Sequence, residues 1–390
     1  MQEKNYISNK VKEMPFSGIR KFFDVAAEME GVISLGVGEP DFDTPINIRK
    51  KAIESIEEGK TTYTSNLGTK ELRKEISRYL KERFQLEYDS KDQVIVTVGA
   101  SEGIDIALRA LIDPGDEVLY HEPCYVSYMP CIVMAGGVPV PIVTRNENQF
   151  RLTPEDLEKA ITPKTKVLLL NYPNNPTGAI MEKEDLEKIA DILVKNDILV
   201  ITDEIYSELT YGGRKHVSIA SLPGMYERTI VLNGFSKAFA MTGWRLGYAA
   251  GPKEIISAMT KIHQYVIMCA PTMSQYAGLE ALKNSMDSVE QMRLEYDERR
   301  QYVVERFRAI GMDCFEPLGA FYVFPSIEKS KMTSDEFCEK LLFTKKVAIV
   351  PGTAFGACGE GFVRVSYAYS MEELKNAIDI IEQFMAEING

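Results

Sequence analysis

The sequence predicts an α/β fold: a large unit with a mostly parallel sheet flanked by helices, plus a smaller α+β unit. Two observations carry this. Between residues 94 and 250, short and continuously apolar runs alternate with amphipathic helical stretches, the pattern of a parallel sheet covered on both faces. After about Thr272 the alternation stops and a long helical stretch takes over. At 390 residues the chain exceeds one average domain and has room for a deep cleft.

The elements follow in chain order. Residues 1–44 contain no strand-helix unit of their own, so they are expected to pack with the C-terminal part and across the cleft. Strands are predicted at Val94–Val98, Glu117–Tyr120, Val167–Asn171, Ile198–Thr202, Thr229–Leu232 and Tyr248–Ala250, with helices between them such as Glu102–Leu111 and Lys183–Lys195. A helical stretch from Met273 to Ile310 has few breakers. Strand-like runs follow at Ala320–Phe324, Val347–Val350 and Phe362–Ser366, and a closing helix at Met371–Ile388. This organisation places a large domain at residues 45–285, with residues 1–44 and 286–390 forming a small domain with an N-terminal arm.

Composition excludes several function classes. The net charge of −12 argues against nucleic acid and anionic membranes, whose partners are basic. The six cysteines show no C-x-x-C pair and read as thiols of a reducing compartment. His121, His216 and His263 are too dispersed for zinc, so no metal is expected. The polar start Met1–Met14 is unlike a signal peptide and no apolar run reaches transmembrane length, so a cytoplasmic protein is expected.

The candidate chemistry lies just after the predicted strands, where ligands bind in such sheets. In the string Ser236-Lys237-Ala238-Phe239-Ala240-Met241-Thr242-Gly243-Trp244-Arg245, one lysine precedes one arginine by eight residues. A lysine that forms a Schiff base needs a fixed, partly desolvated amine, and an arginine fork suits a phosphate. The bland alternative is a surface lysine before a turn. Gly99-Ala100-Ser101-Glu102 follows the first strand; a helix opening there offers free N–H groups to a phosphate, and Ser101 is equally suited to be a plain N-cap. Asp203 ends a strand, with Tyr206 three residues on. Such a carboxylate can hold a pyridine nitrogen protonated, or simply cap a helix beside a packed tyrosine.

The rigid turn Tyr172-Pro173-Asn174-Asn175-Pro176-Thr177-Gly178 can present Asn175 to a ligand or cap the next helix. Tyr125 can stack on an aromatic ring or pack internally. Arg364 lies inside the apolar run Phe362–Ser366, where its charge needs an internal acid or a substrate carboxylate. Gly36-Val37-Gly38 lacks the third glycine of a dinucleotide loop, since position 41 is Asp41.

Taken together, these motifs resemble the class I/II aminotransferases of the pyridoxal phosphate (PLP)-dependent fold-type I group, the aspartate aminotransferase-like family, over nearly the full chain. The resemblance rests on Gly38-Glu39-Pro40-Asp41-Phe42, Tyr63 through Gly68 to Leu72-Arg73, Asn174 to Gly178, Thr202 to Tyr206, Lys237 to Gly247 and Phe362 to Ser366. It implies a PLP-dependent transaminase that moves an amino group between an L-amino acid and a 2-oxo acid by a ping-pong exchange. It further implies that Lys237 carries the cofactor as the internal aldimine and then moves the proton at Cα. Asp203 would pair with the pyridinium nitrogen, Tyr206 and Asn175 would bind the ring oxygen, and Tyr125 would stack on the ring. Ala100, Ser101 and Arg245 are implied as phosphate ligands, with Glu102 and Ser236 also in the cofactor site. Arg364 and the backbone at Gly38 would bind the substrate carboxylate, with Tyr125 and Asn175 beside it. Tyr63 would reach the neighbouring subunit's phosphate, which makes a homodimer the functional unit.

Two departures stand out. Where many relatives carry a phosphate-binding serine, this chain has Gly234, and Glu102, Gly103 and Asp105 stand where some aspartate-specific relatives place basic residues. The strings Asn233–Arg245, His263-Gln264-Tyr265 and Cys269–Gln275 are similar to the branch holding aromatic, alanine and N-acetyl-diaminopimelate aminotransferases. Two other functions compete. A PLP-dependent C–S β-lyase on the same fold usually shows histidines where this chain has Asn174 and Tyr206. A non-enzymatic PLP-fold regulator carries an appended basic DNA-binding domain, for which this chain has neither the length nor the charge.

Overall fold

A computed structural model describes residues 6–14 and 29–389. The parts of the predicted N-terminal arm at 1–5 and 15–28 lie outside the described residues. The first strand, β1 (Ile33–Ser34), pairs in parallel with residues 347–348 far down the chain. Leu35 continues this docking: its N–H donates to the Ala348 carbonyl, and its own carbonyl accepts the Ser366 N–H.

Among the described residues the large sheet has seven strands: β2 (Val94–Thr97), β3 (Glu117–Glu122), β4 (Val138–Val143), β5 (Thr165–Asn171), β6 (Leu199–Asp203), β7 (Thr229–Gly234) and β8 (Gly247–Ala250), in the order β2-β8-β7-β6-β5-β3-β4. Only β8 runs against its neighbours; the other pairings are parallel. The sequence pattern does not mark β4 as a strand. Pro139 and Pro141 lack N–H donors and obscure the strand signal, and the structure places them at the sheet edge where proline is tolerated. The continuous apolar runs are explained by two covered faces. In β5, Val167 and Leu169 face one cluster with Ile104, Leu108 and Ile201. Leu168 and Leu170 face another with Leu186, Ile189 and Val200.

Twelve helices of five residues or more among the described residues are labelled in chain order: α1 (Asn9–Glu13), α2 (Ile46–Glu57), α3 (Lys70–Phe84), α4 (Gly99–Leu111), α5 (Tyr128–Ala135), α6 (Pro154–Ala160), α7 (Lys183–Lys195), α8 (Lys253–Val266), α9 (Thr272–Asn284), α10 (Met286–Ala309), α11 (Ser334–Lys345) and α12 (Met371–Asn389). The long helix expected over 273–310 is two. It breaks at Ser285, whose φ of −127° and ψ of 14° leave the helical region. Asn47 on α2 donates to the Ser285 hydroxyl at 2.8 Å, so a tertiary contact sits at the break.

Beyond α10 lie β9 (Tyr322–Val323), β10 (Val347–Ala348), β11 (Val350–Pro351) and β12 (Val363–Ser366). The strand-like run expected over 347–350 is divided between β10, which joins β1, and β11, which joins β12 and β9 in an antiparallel sheet. Phe307, Phe321, Phe337, Leu341, Ile378 and Phe384 fill the core that this sheet shares with α10, α11 and α12.

Candidate active site

A cavity of about 700 Å³ opens beyond the carboxyl ends of β5 and β6, where a parallel sheet places ligands. Its wall is continued by Gly36–Glu39 after β1, the start of α4, the loop after β7, Tyr322 of β9 and Arg364 of β12.

The floor is a buried carboxylate. Asp203 is 4% exposed; Tyr128 Oη donates to its Oδ2 at 2.8 Å, and the Ile205 N–H donates to its Oδ1 at 3.2 Å. Asn171 Nδ2 donates to the Asp203 carbonyl at 2.9 Å, fixing the ends of β5 and β6 together. Burial raises the Asp203 carboxyl to about 6, against the opposing pull of the Tyr128 and Ile205 hydrogen bonds. Desolvation of the anion is the physical cause.

Lys237 faces the same space. Its amine donates to the Gly38 carbonyl and stands 5.6 Å from the Phe321 ring centroid and 5.8 Å from that of Tyr206. Burial lowers Lys237 to about 8; Glu39 opposes the shift while Arg364 and Arg245 add to it. The neutral, nucleophilic amine is therefore far more accessible near neutral pH than for an ordinary lysine, although the protonated form still predominates at pH 7.

At one end, β2 passes into α4 through Gly99, whose φ is +73°. The Arg245 guanidinium lies against this turn: a Cβ on Gly99 would stand 2.8 Å from Arg245 Nη2. Gly247 is needed for the same approach, since a Cβ there would fall 2.5 Å from the Gly99 carbonyl carbon. Ala100, Ser101, Ser236 and Arg245 all line the cavity, so helix N–H groups and a guanidinium converge, a donor set suited to a phosphate. Gly234 does not line it. Its N–H donates to Asn233 Oδ1 at 2.7 Å.

At the other end Arg364 is 3% exposed. Its Nη1 donates to Asn175 Oδ1 at 2.8 Å and its Nη2 to the Gly36 carbonyl, while Nε has no partner among the described residues. The guanidinium carbon lies 4.6 Å from the Tyr322 ring centroid and 4.7 Å from that of Phe355. Among the described residues no carboxylate pairs with Arg364. Of the two partners the sequence left open, an internal acid is therefore not found among the described residues. Tyr206 Oη and Tyr322 Oη are 2.9 Å apart, and a Cβ at Gly38 would stand 2.3 Å from Tyr322 Oη. Glycine is required there by the close approach of the tyrosine.

The structure thus gathers Gly38, Ala100, Ser101, Tyr125, Asn175, Asp203, Tyr206, Ser236, Lys237, Arg245 and Arg364 around one cavity. Two expected site residues are elsewhere. Glu102 does not line it; its carboxylate is turned back onto the Val98 N–H and His263. Tyr63 is 80% exposed and also outside the lining. Sequence reasoning missed Tyr128, Asn171 and Tyr322. A lone hydroxyl in the apolar run Ala320–Phe324 was the available signal for Tyr322, the same kind that marked Arg364.

The family model for aminotransferase class I and II matches residues 30–381. An aspartate aminotransferase of Pyrococcus abyssi is 49% identical over 373 residues, covering 95% of this chain and 96% of that protein. An aromatic-amino-acid aminotransferase of Thermococcus litoralis is 45% identical over 383 residues, covering 98% of both. The solved structure of an aromatic aminotransferase from Pyrococcus horikoshii superposes with a TM-score of 0.90 at 46% identity, covering 95% of this chain and 99% of that one.

Proposed function

The chain belongs to the aminotransferase class I and II family, and from that premise we propose that it is a transaminase that holds PLP on Lys237 and binds its amino acid and 2-oxo acid substrates through Arg364. The observation that carries this reading is a buried guanidinium that meets no carboxylate among the described residues. Arg364 is buried, held by two neutral acceptors, and faces the same cavity as the desolvated amine of Lys237.

The residues present fit the cofactor. Helix α4 and Arg245 suit its phosphate, Tyr125 its ring face, and Asp203 its ring nitrogen. When bound, PLP supplies an electron sink for the pair released as a substrate Cα–H bond breaks. Asp203 keeps a proton on the ring nitrogen, and Tyr128 orients the Asp203 carboxylate. Arg364, steadied by Asn175 and Gly36, grips the α-carboxylate that all amino acids and 2-oxo acids share, and so fixes where Cα lies. Lys237 is placed to take the Cα proton as general base when an amino acid reacts, and to deliver a proton to Cα as general acid when a 2-oxo acid is converted in the reverse half-reaction; burial, which lowers the free amine toward neutral pH, favours both tasks. Tyr206 and Tyr322 close the wall behind the amine.

The relatives named above are aminotransferases, which does not favour the C–S lyase. We read residues 45–285 as the cofactor-binding domain and residues 1–44 with 286–390 as the smaller one. We also read the protein as a cytoplasmic homodimer in which the exposed Tyr63 completes the neighbouring subunit's site; no helix among the described residues is long and apolar enough to cross a membrane. Sedimentation of the purified protein as a monomer would refute the dimer.

Borohydride reduction of the purified protein, followed by peptide mass spectrometry, should place the reduced adduct on Lys237. An adduct on another lysine would overturn the site. A panel of amino donors against 2-oxoglutarate, pyruvate and oxaloacetate should show amino transfer without release of pyruvate and ammonia from β-thiol substrates. Release without transfer would favour the lyase.

A further inference from the structure

The turn that opens α4 is braced from behind by two residues that do not face the cavity. Glu102 Oε2 accepts the Val98 N–H at 2.6 Å, and His263 Nδ1 donates to Glu102 Oε1 at 2.6 Å. A carboxylate only accepts, so the imidazole proton is on Nδ1. His263 is fully buried on α8, the helix whose Ile256, Met259 and Ile262 share an apolar cluster with Ile104 of α4. Its Nε2 has no partner among the described residues. A polar ring placed in an apolar layer is costly unless its hydrogen bond is used. The bond it makes reaches across 161 residues of sequence to one side chain in the first turn of α4.

We infer that Glu102 and His263 are positioning residues for the phosphate cradle of this site. The inference rests on the PLP reading above. Gly99, at φ +73°, gives the turn a conformation few other residues would hold, and glycine alone would also let it relax. Glu102 removes that freedom by taking the N–H on the strand side of the turn. This leaves the N–H groups at the start of α4 aimed at the cavity, where Arg245 closes the other side. His263 in turn stops the Glu102 carboxylate from swinging out to the ligand, where its negative charge would repel a phosphate. Glu102 thus serves the phosphate through the backbone and never touches it.

Apo-protein carrying His263→Leu, His263→Asn or Glu102→Gln should be titrated with PLP, with inorganic phosphate in competition, and with pyridoxal, which lacks the phosphate. Removing a hydrogen bond to a charged group should weaken PLP and phosphate binding by roughly ten- to a hundredfold in His263→Leu, while pyridoxal binding stays as in the parent. His263→Asn places an amide donor where Nδ1 stands and should restore most of the loss. Glu102→Gln keeps an acceptor for Val98 but turns an amide N–H toward the Nδ1–H of His263, so it should lose phosphate affinity selectively, and it carries the test if His263→Leu does not fold. Unchanged PLP affinity in these variants would overturn the inference, as would equal losses of PLP and pyridoxal. A parent protein that takes up no PLP would overturn the functional reading and this inference with it.

Discussion

Replacing Asp203 by Asn should make the apo-protein more stable while disabling the enzyme. Burial raises this carboxyl from 3.8 to about 6, and each unit corresponds to about 1.4 kcal/mol. Above pH 6 the ionised group therefore costs the fold about 3 kcal/mol. The sign follows from the two states. Below 3.8 the group is protonated in both folded and unfolded chains and contributes nothing. As pH rises from 3.8 toward 6 the unfolded chain ionises first, so stability falls, and above 6 the loss is complete. Asn removes the charge and can keep both contacts: its oxygen can accept the Ile205 N–H, and its amide can donate to Tyr128 Oη. Urea denaturation of the two apo-proteins should show a gap that is absent near pH 4, opens up to pH 6, and stays near 2–3 kcal/mol at pH 8. The same variant should bind PLP weakly and turn over slowly, because a neutral amide cannot hold the ring nitrogen protonated. Equal stability at pH 8, or a gap that does not change with pH, would refute the argument that burial of the charge is the cost.

Three further outcomes are expected. Lys237→Ala removes the proton carrier and should lower turnover by about 10²–10⁴-fold; near-normal rates would remove Lys237 from the chemistry. Arg364→Lys keeps the charge but cannot replace the fork held by Asn175 and Gly36. It should raise KM by about tenfold or more for every amino donor and 2-oxo acid alike, with PLP affinity unchanged, and steady-state kinetics showing loss for one substrate class alone would move Arg364 to a side-chain pocket. Gly38→Ala puts a Cβ where Tyr322 Oη stands. It should displace that tyrosine and lower kcat/KM by about tenfold or more, and unaltered kinetics would show that the approach is not needed.

Much of this protein was determined by the sequence alone, because the signals are local. Continuous apolar runs bounded by turn residues marked six of the seven large-sheet strands, and a parallel sheet fixes its ligand site at the strand ends. Lys237, Asp203 and Arg364 were legible as candidates for that reason, each a charged residue at or just beyond a strand or alone within one, and Arg245 by its place eight residues after Lys237. The tertiary structure decided what depends on distant approach. Asp203 meets Tyr128 across 75 residues of chain and Arg364 meets Asn175 across 189, and no spacing rule foretells either pair. The direction of Glu102 was likewise invisible. Its place in the first turn of a helix is the same whether it faces a ligand or turns back, and only His263, arriving from α8, settles the choice. The break at Ser285 and the division of residues 347–350 between two sheets have the same origin. Local propensity permits either outcome in such short stretches, and packing against partners far away in sequence selects one.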